Sequence, residues 1–221
     1  VNGIDNWQAG YLPPVYQGTR FRATGSPVLN LKPEFKEPTS ITRLERHLIA
    51  RLDRIHQKQR PSQPNLGARI SSYELAARMQ LTAAAELDLS NESQETQRLY
   101  GLDNPETAPY GRQLMLARRL VERGVRFVQL YSGNTGGWDA HSNVEQNHGL
   151  MCRRTDKPIT GLLMDMRRRG LLDETLVIWG GEFGRMPMSE QGKGRDHNPW
   201  GYCVWLAGAG VRGASHYGAT D

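Results

Sequence analysis

The sequence predicts an α/β fold, and three observations support this class. Past residue 110, apolar patterns alternate in the order helix, strand, helix, strand, strand. The apolar run Leu176–Trp179 ends at two glycines, as a buried strand does where it meets a sharp turn. Charged side chains follow, and ligands bind open α/β sheets just past the carboxyl ends of strands. We therefore expect a binding site in the loops after these strands.

Residues 1–110 are predicted to form an irregular and helical segment. It packs on an α/β core of residues 111–221, and the two parts make one structural domain. Repeated prolines exclude a long helix before residue 39, and one short strand is expected at Pro27–Leu31. A chain of 221 residues is long enough for one sizeable hydrophobic core.

Two helices are predicted in this first segment. One runs from about Ser40 to Gln59, because apolar residues recur there at the helical spacings of three and four. Its apolar face consists of Ile41, Leu44, Leu48, Leu52 and Ile55. The other helix runs from about Ser71 to Ala85 and also has one apolar side.

The α/β part begins with a helix at Gly111–Arg123, and Gly124 is placed to cap its C-terminus. A strand is predicted next, at Val125–Tyr131. A long helix then runs from about residue 142 to residue 169, and Pro158 marks a point where it could kink or break.

Two further strands, Leu176–Trp179 and Tyr202–Leu206, complete the predicted core. The strands at Val125–Tyr131 and Leu176–Trp179 flank the long helix and so form a βαβ unit. The strands of such a unit are normally parallel, with a right-handed crossover.

Composition limits the classes of function. No apolar run approaches the roughly 20 residues of a membrane span, so none is expected. The net charge is +5 and the pI is near 9.4, but the basic residues are scattered. We interpret clusters such as Arg118-Arg119 as solvated helix faces, not as a nucleic-acid surface. Cys152 and Cys203 make no disulfide framework and are expected to be buried free thiols.

Acidic and histidine residues cluster after the predicted strands. Asp139 and His141 are two residues apart, so in extended backbone both side chains point the same way and could bind a first-row divalent metal. Asp139 could instead cap the helix that follows. Asp196 and His197 could reach a metal and a substrate, or form a structural hydrogen bond with each other.

Further charged residues lie beside these clusters. Glu182 could be a metal ligand, a general base or the partner of Arg185 in an ion pair. Arg185 and Arg195 could hold a phosphate or sulfate group bidentately, or either could pair with Glu182. His148 could reach the site from the long helix or serve as a core or surface residue.

Several stretches of the sequence, taken in order, resemble one family. They are Leu116–Val128, Trp138–His141, Arg169–Val177, Gly181–Arg185, Gly194–Pro199 and Gly213–Asp221, with a further match at Asn6–Phe21. The family is the sulfatase-like one catalogued as domain of unknown function 1501, which is placed in the alkaline phosphatase superfamily. The resemblance is strong over residues 111–221.

The resemblance implies an alkaline-phosphatase-like α/β/α sandwich with a mostly parallel sheet, incomplete at both ends in this chain. It also implies one or two divalent metals (zinc, manganese or calcium) and hydrolysis of sulfate or phosphate esters of small molecules or glycans. Glu182 would be a catalytic group, and Arg185 and Arg195 would bind the substrate. The expected metal ligands are Asp139, His141, Asp196 and His197.

The chain departs from the superfamily pattern in two places. Many members carry an Asp-His pair where this chain has Glu182-Phe183, so one imidazole is missing. Residues 1–40 contain no strand-and-nucleophile unit, and we expect the nucleophile upstream of Val1, often behind an export signal. These features predict a truncated, periplasmic or secreted hydrolase. The alternative is a non-catalytic protein of the same fold that binds metals or anions, and the oligomeric state stays open.

Overall fold

The computed structural model describes residues 10–13, 16–22, 37–63, 65–74, 88–132 and 137–219. These residues belong to two compact units, Val1–Asp88 and Leu89–Asp221. The second unit holds every predicted site residue. It begins at Leu89, whereas the sequence places the start of the α/β core at residue 111.

The first unit contains helix α1, which spans Thr39–Lys58 and confirms the first predicted helix. Residues 65–74 are also helical, so the second helix begins before the predicted residue 71. The remainder of that predicted helix lies outside the described residues, as does the predicted strand at Pro27–Leu31.

Three helices build the core of the second unit. They are α2 (Gln94–Leu99), α3 (Ala108–Glu122) and α4 (Val144–Arg168), preceded by a 3₁₀ turn at Leu89–Asn91. Helices α3 and α4 confirm the two helices predicted in this part of the chain. The buried apolar cluster between the helices consists of Tyr100, Leu114, Met115, Leu162 and Met166.

Helix α4 continues through Pro158 as a single helix of 25 residues. Proline removes one backbone hydrogen bond from a helix interior, and Pro158 is fully buried within this helix. Three residues later, α4 approaches the end of α2 closely. A β-carbon at Gly161 would lie 2.4 Å from the carbonyl oxygen of Leu99, so this approach requires glycine.

A network of buried charges connects α3, α4 and the turn that precedes α2. The Arg118 side chain, 1% exposed, contacts Glu92 at 2.7 Å, Glu122 at 2.7 Å and Asp165 at 3.0 Å. Arg169 contacts the same Asp165 carboxylate at 2.8 Å. Interpreting the Arg118-Arg119 pair as a solvated helix face was therefore wrong. Periodicity cannot distinguish a solvated arginine from a buried one whose charge is neutralised by carboxylates from other parts of the chain.

Tyr100 joins this network to the apolar core. Its hydroxyl donates a hydrogen bond of 3.0 Å to Asp165. Burial and the negative charge of Asp165 raise the pKa of the Tyr100 hydroxyl above its ordinary value. The hydroxyl therefore remains a hydrogen-bond donor at physiological pH.

The described residues form two small antiparallel sheets. Strand β1 (Val177–Gly180) pairs with β4 (Val204–Ala207), and β2 (Gly184–Arg185) pairs with β3 (His197–Asn198). Strands β1 and β4 confirm the last two predicted strands, with boundaries shifted by one or two residues. The mostly parallel α/β/α sandwich stays a prediction.

The strand predicted at Val125–Tyr131 is not a strand in the structure. A strand needs a hydrogen-bonded neighbour, and none pairs with this segment among the described residues. Phe127, which the alternation would place in a core, is 81% exposed. The predicted βαβ unit is accordingly not formed by the strands described here.

Two other sequence-based expectations concern side-chain burial and membranes. Cys152 and Cys203 are free thiols as predicted, but both are exposed, so the prediction that they are buried was wrong. Cys152 lies on the outer side of α4 and Cys203 lies just before β4.

None of the helices in the described ranges combines the length and apolar character needed to cross a membrane.

We predict that Arg118→Met destabilises the second unit by about 3–5 kcal/mol, because it leaves buried carboxylates without their counter-charge. Urea unfolding followed by circular dichroism would measure the change. The matched control is Arg112→Met, an exposed arginine on the same helix, which should change stability by less than about 0.5 kcal/mol. Equal stability of the two variants would contradict a stabilising role for the network.

Candidate metal centre

Three parts of the second unit supply the candidate site. The loop before α4 carries Asp139 and His141, β2 carries Arg185, and β3 carries His197. Arg185 and His197 are directly opposite each other in the β2–β3 pair. Opposite residues of an antiparallel pair project from the same face, so the side chains of Arg185 and His197 lie next to each other.

Hydrogen bonds hold a second loop, residues 189–196, against the loop that carries Asp139 and His141. The Arg195 N–H donates to the carbonyl oxygen of Ala140 at 2.9 Å, and the Val144 N–H donates to that of Lys193 at 2.9 Å. The Ser189 hydroxyl donates to the carbonyl oxygen of His141 at 2.7 Å. These bonds fix residues 189–196 against residues 140–144.

Glycine is required at position 194 for this approach. A β-carbon there would lie 1.7 Å from the carbonyl oxygen of His141, closer than any real contact allows. In the sequence Gly-Arg-Asp-His, Gly194 thus allows the close contact between the two loops, and Asp196 and His197 supply side chains of the candidate site. The sequence analysis identified Gly194 only as part of the Gly194–Pro199 stretch, without this structural role, and it did not identify Ser189.

Asp139, His141 and His197 converge on one point. The Oδ1 atom of Asp139 lies 2.9 Å from Nε2 of His197 and 3.2 Å from Nε2 of His141. The two Nε2 atoms lie 3.1 Å apart. We call these three atoms the ligand triangle. The structure therefore brings together three of the four predicted metal ligands, from positions up to 58 residues apart in sequence.

The fourth predicted ligand, Asp196, lies behind His141. Its Oδ1 atom is 2.8 Å from Nδ1 of His141, on the far side of the ring from the ligand triangle. Its Oδ2 atom accepts the Glu190 N–H at 2.8 Å, and this bond, followed by that to His141, lowers the pKa of the Asp196 carboxyl. A carboxylate in this position holds the proton on Nδ1 and leaves the lone pair of Nε2 facing the triangle.

Arg185 occupies the other side of Asp139. Its Nη1 atom donates to Oδ1 of Asp139, and its Nη2 atom lies 3.7 Å from Oε1 of Glu182. Hydrogen bonds from His197 and then Arg185 lower the pKa of Asp139 to about 2. Asp139 is therefore a carboxylate at every physiological pH.

Phe183 forms an aromatic wall beside the site. Its ring centroid lies 4.4 Å from that of His197, and the guanidinium carbon of Arg185 lies 5.3 Å from the same ring. The sequence identified Phe183 only as a departure from a metal-binding pattern. The structure shows that it packs against one residue of the ligand triangle and supports the guanidinium of Arg185.

The remaining predicted site residues lie outside the ligand triangle. Glu182 is 67% exposed and faces Arg185. Arg195 donates to the carbonyl oxygen of Gly194 at 2.7 Å and lines a separate groove with Lys193. His148 places Nε2 3.0 Å from the carbonyl oxygen of Trp138, so it braces the loop that carries Asp139.

The ligand triangle has dimensions suited to a small divalent ion. Ligands about 2.0–2.1 Å from a tetrahedral ion are roughly 3.3 Å apart, and the three observed separations are 2.9, 3.1 and 3.2 Å. Two imidazole nitrogens and one carboxylate oxygen suit zinc or manganese better than calcium, which prefers oxygen ligands throughout. Asp139, His141 and His197 could thus hold such an ion, leaving further coordination positions for water or substrate.

Comparison with known proteins places the whole chain in one family. The family described as "Protein of unknown function (DUF1501)" matches residues 2–221. The chain belongs to the DUF1501 family. No match was found among curated proteins, and none among solved structures. All residues of the ligand triangle lie within the DUF1501 match.

The depressed pKa of Asp139 makes the site sensitive to acid. The pKa of Asp139 in the folded state, about 2, lies below its ordinary value of 3.8. The hydrogen bonds from Arg185 and His197 to the Asp139 carboxylate therefore stabilise the folded state fully above about pH 4. This stabilisation should be lost as the pH falls through about 2. A carboxyl-carbon NMR titration, assigned with Asp139→Asn, would measure this pKa. In Arg185→Met the pKa of Asp139 should rise towards 3.8, and an unchanged value would contradict the contribution of Arg185.

Proposed function

We propose that this DUF1501 protein is a metal-dependent hydrolase of sulfate or phosphate esters, related to the alkaline phosphatase superfamily. The observation that carries the proposal is the ligand triangle of Asp139, His141 and His197, with Asp196 holding His141 from behind. Three protein ligands with open positions are typical of catalytic metal sites, whereas structural sites are usually closed by four.

The residues around the triangle have distinct roles in this proposal. Asp196 holds His141 in the tautomer that binds a metal, and Phe183 fixes the ring plane of His197. When bound, a divalent ion would polarise the ester group and neutralise charge that develops on its oxygens. Arg185 would hold the anionic group of the substrate, and the exposed Glu182 would accept a proton from water at the edge of the site.

A second candidate function is binding of metals or anions without catalysis. The observation that favours it is the arrangement of Ser189, the hydroxyl residue in the network around His141. Its Oγ atom donates to the carbonyl oxygen of His141, which directs its proton into the loop and away from the ligand triangle. A nucleophile needs a base within hydrogen-bonding reach, and this hydroxyl is engaged elsewhere.

Metal content tests the first part of the proposal. The purified chain should hold about one zinc or manganese ion, measured by elemental mass spectrometry after loading and desalting. Asp139→Ala/His197→Ala removes two of the three ligands and should bring the content close to zero. The control variant Asp173→Ala/His216→Ala changes one exposed aspartate and one exposed histidine and should keep the metal. Equal metal content in both double variants would overturn the proposed site.

Ester hydrolysis separates the two candidate functions. With water as the nucleophile and Glu182 as its base, the metal-loaded chain should hydrolyse 4-nitrophenyl sulfate or 4-nitrophenyl phosphate, and the Asp139→Ala/His197→Ala variant should lose that activity. A protein that binds metal stoichiometrically but leaves both esters intact, with zinc as with manganese, supports the non-catalytic function instead.

Asp196 gives an independent prediction about the metal. Asp196→Ala removes the bond that orients His141 and should weaken metal affinity about 10- to 100-fold, because outer partners of a histidine ligand have effects of that size. Competition with a chromophoric chelator would measure the affinity. Binding that is abolished outright would instead indicate that Asp196 is itself a ligand, and unchanged binding would show that it does not support the site.

A further inference from the structure

We propose that Arg185 competes with the metal for Asp139 and that metal binding transfers its guanidinium to the anionic group of the substrate. The inference rests on the proposed metal site. Its consequence is that metal and oxyanion bind cooperatively. Arg185 is thus a positioning residue that couples the two binding events, beyond any role as a fixed anion ligand.

The competition follows from a shared atom. Oδ1 of Asp139 accepts from Nη1 of Arg185, and the same Oδ1 is the oxygen corner of the ligand triangle. A metal bound at the triangle places two positive charges beside a third, that of the guanidinium. The metal and the guanidinium are both cations bound to the same oxygen, so they repel each other, and each weakens the binding of the other to Asp139.

The structure supplies a second position for the guanidinium. Its carbon lies 5.3 Å from the centre of the Phe183 ring, and Nη2 lies 3.7 Å from Oε1 of Glu182. When Arg185 leaves Asp139, Phe183 still supports the planar group and Glu182 still attracts it. The guanidinium therefore stays beside the triangle, with its Nη1 donor available to an oxyanion.

Charge balance gives the sign of the coupling. The Arg185–Asp139 pair is neutral before metal binding, and the divalent ion places two positive charges next to the guanidinium, whereas the carboxylates of Asp196 and Glu182 lie farther out, behind His141 and beside Nη2 of Arg185. A sulfate or phosphate group that contacts both the metal and Arg185 offsets the repulsion between these two cations. By thermodynamic reciprocity, the anion raises metal affinity by the same factor by which the metal raises anion affinity.

Metal titrations with and without sulfate test the inference. Zinc and manganese affinities would be measured by chelator competition in chloride buffer and in sulfate buffer of equal ionic strength, since salt alone screens these charges. The variants are Arg185→Met, which removes the competing charge, and Arg112→Met, which removes an exposed arginine from α3. Circular dichroism would verify that each variant is folded.

We expect three results. Sulfate should tighten metal binding by the wild-type chain and by Arg112→Met. Arg185→Met should bind metal about two- to fivefold more tightly than wild type in chloride, the range that loss of one exposed ion pair allows. Sulfate should tighten metal binding by Arg185→Met much less than by wild type, because the metal alone then holds the anion.

Each alternative outcome is decisive. Metal binding that is lost by Asp139→Ala/His197→Ala but is indifferent to Arg185→Met overturns this inference and leaves the proposed site intact. Metal binding by none of the chains overturns both. If Arg185→Met is unfolded, Arg185→Gln replaces it: glutamine removes the positive charge but keeps a polar side chain, so the sulfate effect should again shrink. An undiminished sulfate effect in that variant would overturn the coupling.

Discussion

The close approach of residues 193–196 to the loop that begins at Asp139 is the constraint on which the candidate site depends. It requires glycine at position 194, where a β-carbon would lie 1.7 Å from the carbonyl oxygen of His141. Backbone hydrogen bonds on both sides of Gly194 hold the two loops together. These contacts bring Asp196 to within 2.8 Å of Nδ1 of His141 and leave Nε2 on the side of His197. A larger residue at position 194 would therefore push the two loops apart and separate Asp196 and His197 from His141.

The helical part of the unit provides the rigid base for these loops. Arg118 and Arg169 neutralise carboxylates from three segments, and Tyr100 connects this charge network to the apolar cluster. Buried ion pairs of this kind contribute little compared with apolar packing, but breaking one is strongly destabilising. Helix α4 is held by the network near its C-terminus, and its N-terminus follows the loop that carries Asp139. The site and the network thus lie at opposite ends of one helix.

Asp139 is the residue that links the possible functions of the site. Its carboxylate is the oxygen corner of the ligand triangle and the partner of Arg185, and a low pKa keeps it charged in both situations. Under the proposed coupling, metal binding and anion binding are therefore not independent. A catalytic protein and a binding protein would both use this coupling, and they would differ in whether a nucleophile reaches the bound ester.

The sequence by itself determined the helices α1, α3 and α4, the strands β1 and β4, and the positions of Asp139, His141 and His197, because periodicity and turn residues act over short distances. Tertiary structure decided what these residues contact. It turned Asp196 towards His141, 55 positions away, joined Arg185 to Asp139, and buried Arg118 among carboxylates. It also left Val125–Tyr131 without the partner strand that its pattern predicts. Local sequence specifies which groups follow each strand or helix, but only the packing of distant segments specifies which groups meet.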